Sequence, residues 1–319
     1  MADADLPIVK VYMLDNSSKQ FTVEPTVTAG ELRQLMAGKM NFQDESSASN
    51  FALFQSVDGV VARRPLDDAE SVFAVQNESA KLLYMLKLFV PSVLKRLDDP
   101  VLLHLLYVQS MHAVITGTNF HTEEAKCVEL AAVDFYVKYG AADPDKHKVG
   151  FVTARLQEFI PAHMFPSKTA DEWEEQLYAA HAALGSEASG ADMKKRYVNT
   201  CEEWAGNGCL FVEVGQTHLS EAPEAVLLGI NFKGIHVLHP TSRESLELIE
   251  WTQINSWNAT PKVDFYIRVQ GATPDKRSFT TLFGPLLVEY AKSYTAALAE
   301  EMMAATSLEE DGGTDEGKK

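Results

Sequence analysis

Ala225-Val-Leu-Leu-Gly-Ile-Asn-Phe-Lys-Gly-Ile-His-Val-Leu-His239 decides how the chain is read. Ala225–Asn231 and Gly234–His239 are apolar runs flanking Phe232-Lys233, the pattern of two strands and a hairpin turn. Working outward, Cys209–Val214 precedes the hairpin as a weakly alternating strand. Leu246–Trp251, Ile254–Trp257, Phe265–Val269 and Ser278–Phe283 follow at close spacing. Gly284-Pro285 then opens a long helix with Leu287, Tyr290, Ala291, Tyr294, Leu298 and Met302 at helical intervals. Residues 207–304 therefore read as seven short strands and one closing helix, and 305–319 as a disordered, Gly- and acid-rich tail.

Upstream, residues 92–204 change period. Asp99-Pro100 pairs a capping side chain with proline at the first helical position. Val101–Ile115 is apolar almost all round and is expected to be buried on all sides. Gly117 stops it. Thr122, Glu124 and Ala125 open a second helix that ends at Tyr139-Gly140. Thr153–Phe159, Glu172–Leu184 and Asp192–Trp204 complete an all-α bundle. Residues 8–90 are mixed. Ile8–Leu14 and Gln20–Glu24 are strands around the turn cluster Asp15–Ser18, and Thr28 with Glu31 forms a capping box. Leu32, Leu35 and Met36 mark that helix's buried stripe, and Phe51–Gln55 and Lys81–Leu88 supply further strands. Linkers are expected near Val90-Pro91 and Ala205–Asn207.

Strands, helix and strands over 8–90 give a ubiquitin-like grasp, and the plan of 207–304 is that of a pleckstrin-homology or phosphotyrosine-binding sandwich. This order of lobes resembles the FERM domain. Tyr107-Val-Gln109 followed by Gly117, and Leu130-Ala-Ala132 with Tyr139-Gly140, resemble two helices of the FERM helical lobe. Asn207-Gly-Cys-Leu-Phe-Val-Glu-Val214 resembles the entry to the third lobe. Leu228-Gly-Ile-Asn231, Gly234-Ile-His-Val237 and Ile254-Asn-Ser-Trp257 are similar to the sandwich lobe of FERM modules in unconventional-myosin tails and talins. The resemblance implies an α+β fold of three lobes in a clover: ubiquitin-like (8–90), acyl-CoA-binding-protein-like and all-α (92–204), and PH/PTB-like with a C-terminal helix (207–304). Tyr136, where the family pattern often has glutamine, and Gly284-Pro285 depart from it. Whether the chain is a stand-alone FERM protein or a fragment of one stays open.

The chain has 319 residues, 46% hydrophobic and 23% charged, with a net charge of −17. The charge is spread as −4, −6, −4 and −3 over residues 1–90, 91–204, 205–305 and 306–319, so no segment is a basic module. Nucleic acid is bound mainly by neutralising phosphates, which this balance opposes. No apolar run approaches the roughly 20 residues of a membrane span, and the acidic start Met1–Asp5 does not read as a signal peptide. Three scattered cysteines suit a reducing compartment.

No catalytic residue, cofactor or metal site is expected. None of Cys127, Cys201 and Cys209 has the arginine six positions on that a tyrosine phosphatase loop needs. There is no phosphate-binding glycine loop. His104 and His112 lie eight apart on one helix, and His236 and His239 on opposite faces of a strand, so neither pair suits one metal ion. The constellation with binding chemistry is a groove. A peptide could add as a strand beside Gln253, Ile254 and Trp257 and pack on Leu287, Tyr290 and Tyr294. The alternative for those helix residues is core packing. Lys194-Lys195-Arg196 is the one basic triple and a weaker candidate for anionic phospholipid. The resulting expectation is a non-enzymatic adaptor for cytoplasmic tails of membrane proteins or for cytoskeletal proteins, placed at the cytoskeleton or the inner face of the plasma membrane. A phosphoinositide-dependent docking module is the alternative. An enzyme built on the helical lobe is weaker still.

Overall fold

The computed structural model describes residues 6–75, 79–118, 123–143, 145–260, 264–273 and 275–312. It divides into two compact units, residues 1–87 with 96–207 and residues 88–95 with 208–319. The fold class is α+β, as expected.

In the first unit β1 (Ile8–Tyr12) and β2 (Ser18–Thr22) form a hairpin. The Asp15 carboxylate accepts from the Ser17 backbone N–H (2.9 Å) inside its turn, and Asn16 takes a left-handed conformation (φ 64°). α1 (Ala29–Met40) starts on the expected capping box, with Thr28 and Glu31 satisfying each other's backbone N–H groups. Its buried stripe is Ala29, Leu32 and Met36, spaced i, i+3, i+7. Leu35 lies off that stripe and is 47% exposed, which corrects its assignment to the core. β3 (Phe51–Val57) and β4 (Val60–Pro65) turn at Asp58-Gly59, both with positive φ, and α2 (Val72–Val75) and β5 (Ala80–Leu86) follow. The sheet order is β2-β1-β5-β3-β4, with β1 and β5 parallel and the other pairs antiparallel.

The chain then crosses the second unit through 88–95, which includes α3 (Pro91–Leu94). Phe89, Val90 and Val93 are buried, so the stretch read as a linker is part of that unit's core. Back in the first unit come α4 (Pro100–Ile115), α5 (Glu124–Tyr139), α6 (Ala170–Ala183) and α7 (Gly190–Glu202). Thr122 lies outside the described residues. Thr153–Glu158 and Ala162–Ser167 are 3-10 turns. α6 and α7 each open on a capping box, Thr169 with Glu172 and Ser189 with Asp192. Asp99 caps α4 through one carboxylate oxygen, which accepts from Val101 and Leu102, while the other accepts from the Gln43 backbone (2.7 Å). The Gln109 side-chain amide closes both backbone groups of Leu86 at 2.9 Å, binding α4 to the end of β5.

The second unit carries β6 (Leu210–Gln216), β7 (Ala225–Asn231), β8 (Gly234–Leu238), β9 (Ser245–Glu250), β10 (Ile254–Ala259), β11 (Asp264–Val269) and β12 (Lys276–Thr280). All neighbours are antiparallel, in the order β10-β11-β12-β6-β7-β8-β9. Phe232-Lys233 is the β7–β8 turn, pinned by Asn231 Oδ1, which accepts from the Lys233 N–H and meets His236 Nε2, each at 2.9 Å. Burial lowers the His236 imidazole to about 4. Gly234 (φ 149°) has no room for a side chain, since a Cβ would stand 2.2 Å from the Ile249 carbonyl oxygen. α8 (Gly284–Gly312) runs past the expected end at 304, so 305–312 is helix where a disordered tail was expected. Residues 313–319 lie outside the described residues.

Asp99→Ala removes the α4 cap and the Gln43 anchor together. We expect a loss of about 2 kcal/mol in stability, read as a lower urea midpoint. An unchanged midpoint would contradict the role given to this carboxylate.

Candidate functional site

β10 ends the seven-stranded sheet, paired to β11 on one side only. Its register shifts between Ile254 and Ser256, after which Trp257 stands opposite Ile267 and Ala259 opposite Phe265. Ile254, Trp257 and Ala259 are half-buried; Asn255, Ser256 and Asn258 are exposed. Trp257 packs edge-on against Trp251 with ring centroids 5.9 Å apart, and Trp251 donates its indole N–H to the Asn231 carbonyl (2.9 Å). Gln253 belongs to a 3-10 corner, Trp251–Gln253, rather than to the strand. Its side chain accepts from the Glu250 N–H (2.9 Å), and its carbonyl accepts from Gln270 (2.8 Å).

The helix side of the expected groove is closed. Leu287 and Tyr294 are fully buried and Tyr290 is 4% exposed, so none of the three lines an open surface. The physical reason is the stripe itself: 287, 290, 291 and 294 share one face of α8, and that face is covered. Tyr294 donates its hydroxyl to the Gly208 carbonyl (3.2 Å) and accepts from the Phe89 N–H (3.4 Å). Burial raises both tyrosines above the usual phenol range. Near its start α8 lies tight on β10, since a Cβ on Gly284 would come 2.9 Å from that of Ala259.

The basic triple sits on α7 with each charge engaged. Lys194 reaches His104 Nδ1 at 3.3 Å, and His104 Nε2 meets Asp15 at 3.0 Å. Lys195 pairs with Asp98 (2.5 Å) and Arg196 with Glu129 (2.8 Å). Arg64 pairs with Asp67 and Glu70. The partners of the triple are remote in sequence, which is why its pairing was not legible along the chain.

Cys127 and Cys201 are buried and Cys209 is half-buried. Burial pushes Cys127 up to about 11 and raises Cys201 and Cys209 further, so none is poised as a nucleophile. Among the described residues no group of three His, Cys, Asp or Glu side chains could hold a metal ion. One buried carboxylate escaped sequence reading. Asp134, 2% exposed, takes the Tyr107 hydroxyl and the Lys138 ammonium (2.9 Å). Burial raises its carboxyl above the usual value, only partly offset by Lys138 and Tyr107. The available signal was an aspartate inside the apolar run 130–136. Its role is to tie α5 to α4.

A ubiquitin-like sheet, a helical bundle and a seven-stranded antiparallel sheet with a C-terminal helix form the FERM architecture. The FERM central domain model matches residues 92–212, and the RA like domain model matches residues 7–83. Talin-B of Dictyostelium discoideum is 25% identical over 303 residues, 94% of this chain but 10% of that protein. The FERM and C-terminal domain complex of Drosophila Merlin superposes with a TM-score of 0.75 at 17% identity, covering 94% of this chain and 98% of that one. The human Myosin 7b C-terminal MyTH4-FERM domain, solved with the harmonin-a PDZ3 domain, gives 0.72 at 18% identity, covering 92% and 60%. Residues 92–212 thus match the FERM central domain and the chain shares the fold of solved FERM structures, while it spans only a tenth of its talin-B relative.

Tyr294→Phe leaves the Phe89 N–H and the Gly208 carbonyl without their shared hydroxyl. Chemical denaturation should show a loss of about 1–3 kcal/mol. A variant as stable as the parent would contradict the role given to this hydroxyl.

Proposed function

We propose that this chain is a non-enzymatic FERM adaptor. It docks a short linear segment, from a membrane-protein tail or a cytoskeletal protein, as an added strand along β10, and so links membrane to cytoskeleton. The observation that carries this reading is the character of the edges. Among the described residues the two sheets have four edge strands. β2 contains Lys19, and the Lys39 ammonium binds the Gln20 carbonyl at 2.7 Å. β4 contains Arg63, Arg64 and Pro65, and β9 contains Glu247 and Glu250. Charge and proline are the usual guards against strand addition. β10, Ile-Asn-Ser-Trp-Asn-Ala, has neither. Main-chain pairing there is nearly blind to sequence, so selectivity falls to Ile254 and Trp257 and to the corner at Gln253. Leu287, Tyr290 and Tyr294 support the strand from within. The Merlin structure, a complex of its FERM and C-terminal domains, and the Myosin 7b structure, solved with the harmonin-a PDZ3 domain, are in keeping with a docking role. No helix among the described residues is long and apolar enough to cross a membrane, which suits a cytoplasmic module at the inner face.

The test is binding of a peptide selected from a displayed library of short unstructured segments. Loss of an aromatic anchor costs roughly 2 kcal/mol, about thirty-fold in Kd. Trp257→Ala, with its fold checked by circular dichroism, should weaken the selected peptide by about that factor at low and high salt alike. Lys194→Glu with Lys195→Glu should leave it unchanged. A silent Trp257→Ala, with salt-sensitive binding to anionic phospholipid vesicles that the lysine changes abolish, would hand the site to membrane docking.

A further inference from the structure

One face of α6 holds the segment that leads from α5 into α6. Glu174, Tyr178 and His181, spaced i, i+4, i+7, each bind its backbone. Glu174 accepts from the N–H groups of Gly150 (2.7 Å), Val152 (2.7 Å) and Thr153 (3.3 Å). Tyr178 donates to the Lys148 carbonyl (3.2 Å). His181 Nε2 meets the Gly140 carbonyl (2.8 Å), where α5 ends. Residues 148–153 are thus a strap tied to α6. Within it Val152 is fully buried and Val149 is 91% exposed.

Two imidazoles lie in this latch. His181 is 1% exposed, and the half-buried His147 has its ring centroid 5.5 Å away. Both pack edge-on against Phe135 at 4.9 Å. The other groups facing the pair give no countercharge. α5 brings Tyr136, bonded to the Ala188 carbonyl, and Tyr139. α6 brings Tyr178. The Asp143 carboxylate is paired with Lys146 at 3.0 Å, while its N–H donates to His147 Nδ1. Glu174 is committed to the strap's N–H groups, and Lys138 is held by Asp134.

We propose that this is an acid-sensitive latch: protonating His181, with a second imidazole beside it and no free carboxylate in reach, turns a neutral contact into a buried, uncompensated charge and releases residues 148–153 from α6. Burial already holds the His181 imidazole below its ordinary value. The Gly140 hydrogen bond offsets part of this, and His147 lowers it further. The released strap therefore binds the extra proton more readily than the closed one. The closed state is favoured above the ordinary imidazole pKa of about 6.5 and loses ground as pH falls below it.

The measurement is amide hydrogen exchange on the full chain at pH 7.5 and 5.5, corrected for intrinsic exchange and referred to α7. Protection of the Gly150, Val152 and Thr153 amides should fall by up to about tenfold at the lower pH, while α7 holds. His181→Gln, which can still donate to Gly140 but cannot titrate, should keep the protection seen at pH 7.5 and abolish the loss. If that variant does not fold, His147→Gln serves instead. It removes the neighbouring imidazole and should shrink the loss. Equal protection at both pH values, or an undiminished loss in the variant that folds, overturns the proposal.

Discussion

The Tyr294 hydroxyl occupies the point on which the second unit depends. That unit is built from two separate stretches, 88–95 and 208–319, so something must fix where the chain enters it twice. Tyr294 does so by taking the Phe89 N–H and giving its proton to the Gly208 carbonyl. Gly208 makes the approach possible: its φ is 71°, and a Cβ there would stand 2.6 Å from the Phe89 side chain. A buried N–H and carbonyl without partners are costly. One phenol at the crossing serves both. Ser92 adds a second tie, its N–H donating to Glu301 (3.0 Å) farther along α8. The residues that a groove would have needed are thereby the ones that close the unit.

This also marks where the sequence could and could not be read. The seven strands of the second unit were legible because each is a short apolar run between turn residues, and the start of α1 because its capping box is a local pattern. β4 was missed because Val60–Pro65 is a half-exposed edge with no alternation, although Asp58-Gly59 before it is a hairpin signal. α3 was missed because Val90-Pro91 reads as a break until its burial is known. At the site, the edge character of β10 was legible through the order of strands. The burial of Tyr290 and Tyr294 was not, since a tyrosine at helical spacing serves core and rim equally well.

Charges show the same limit more sharply. Lys194-Lys195-Arg196 looks basic along the chain, yet its partners lie 90, 97 and 67 residues away. Exposed pairs of this kind contribute little to stability. Their consequence is electrostatic: Lys195 and Arg196 are each answered by a carboxylate and Lys194 is held at the His104 ring, so the triple presents a weaker field to a distant anion than three free cations would. In a chain of net charge −17, positive residues are scarce and have abundant partners.

An unguarded edge poses its own problem, because a strand open to addition is open to any strand, including another copy of the chain. β10 meets this without charge. Its six residues span about 20 Å, and the 3-10 corner at Trp251–Gln253 limits it at one end while Ala259, tight against Gly284, limits it at the other. The register shift at Ile254–Ser256 breaks the regular ladder a flat aggregate would need. Asn255, Ser256 and Asn258 keep the exposed side polar. What remains is a short, bent, uncharged strand with one half-buried tryptophan. On the proposed docking role, that shape would take a single short segment while giving poor purchase to a stacked sheet.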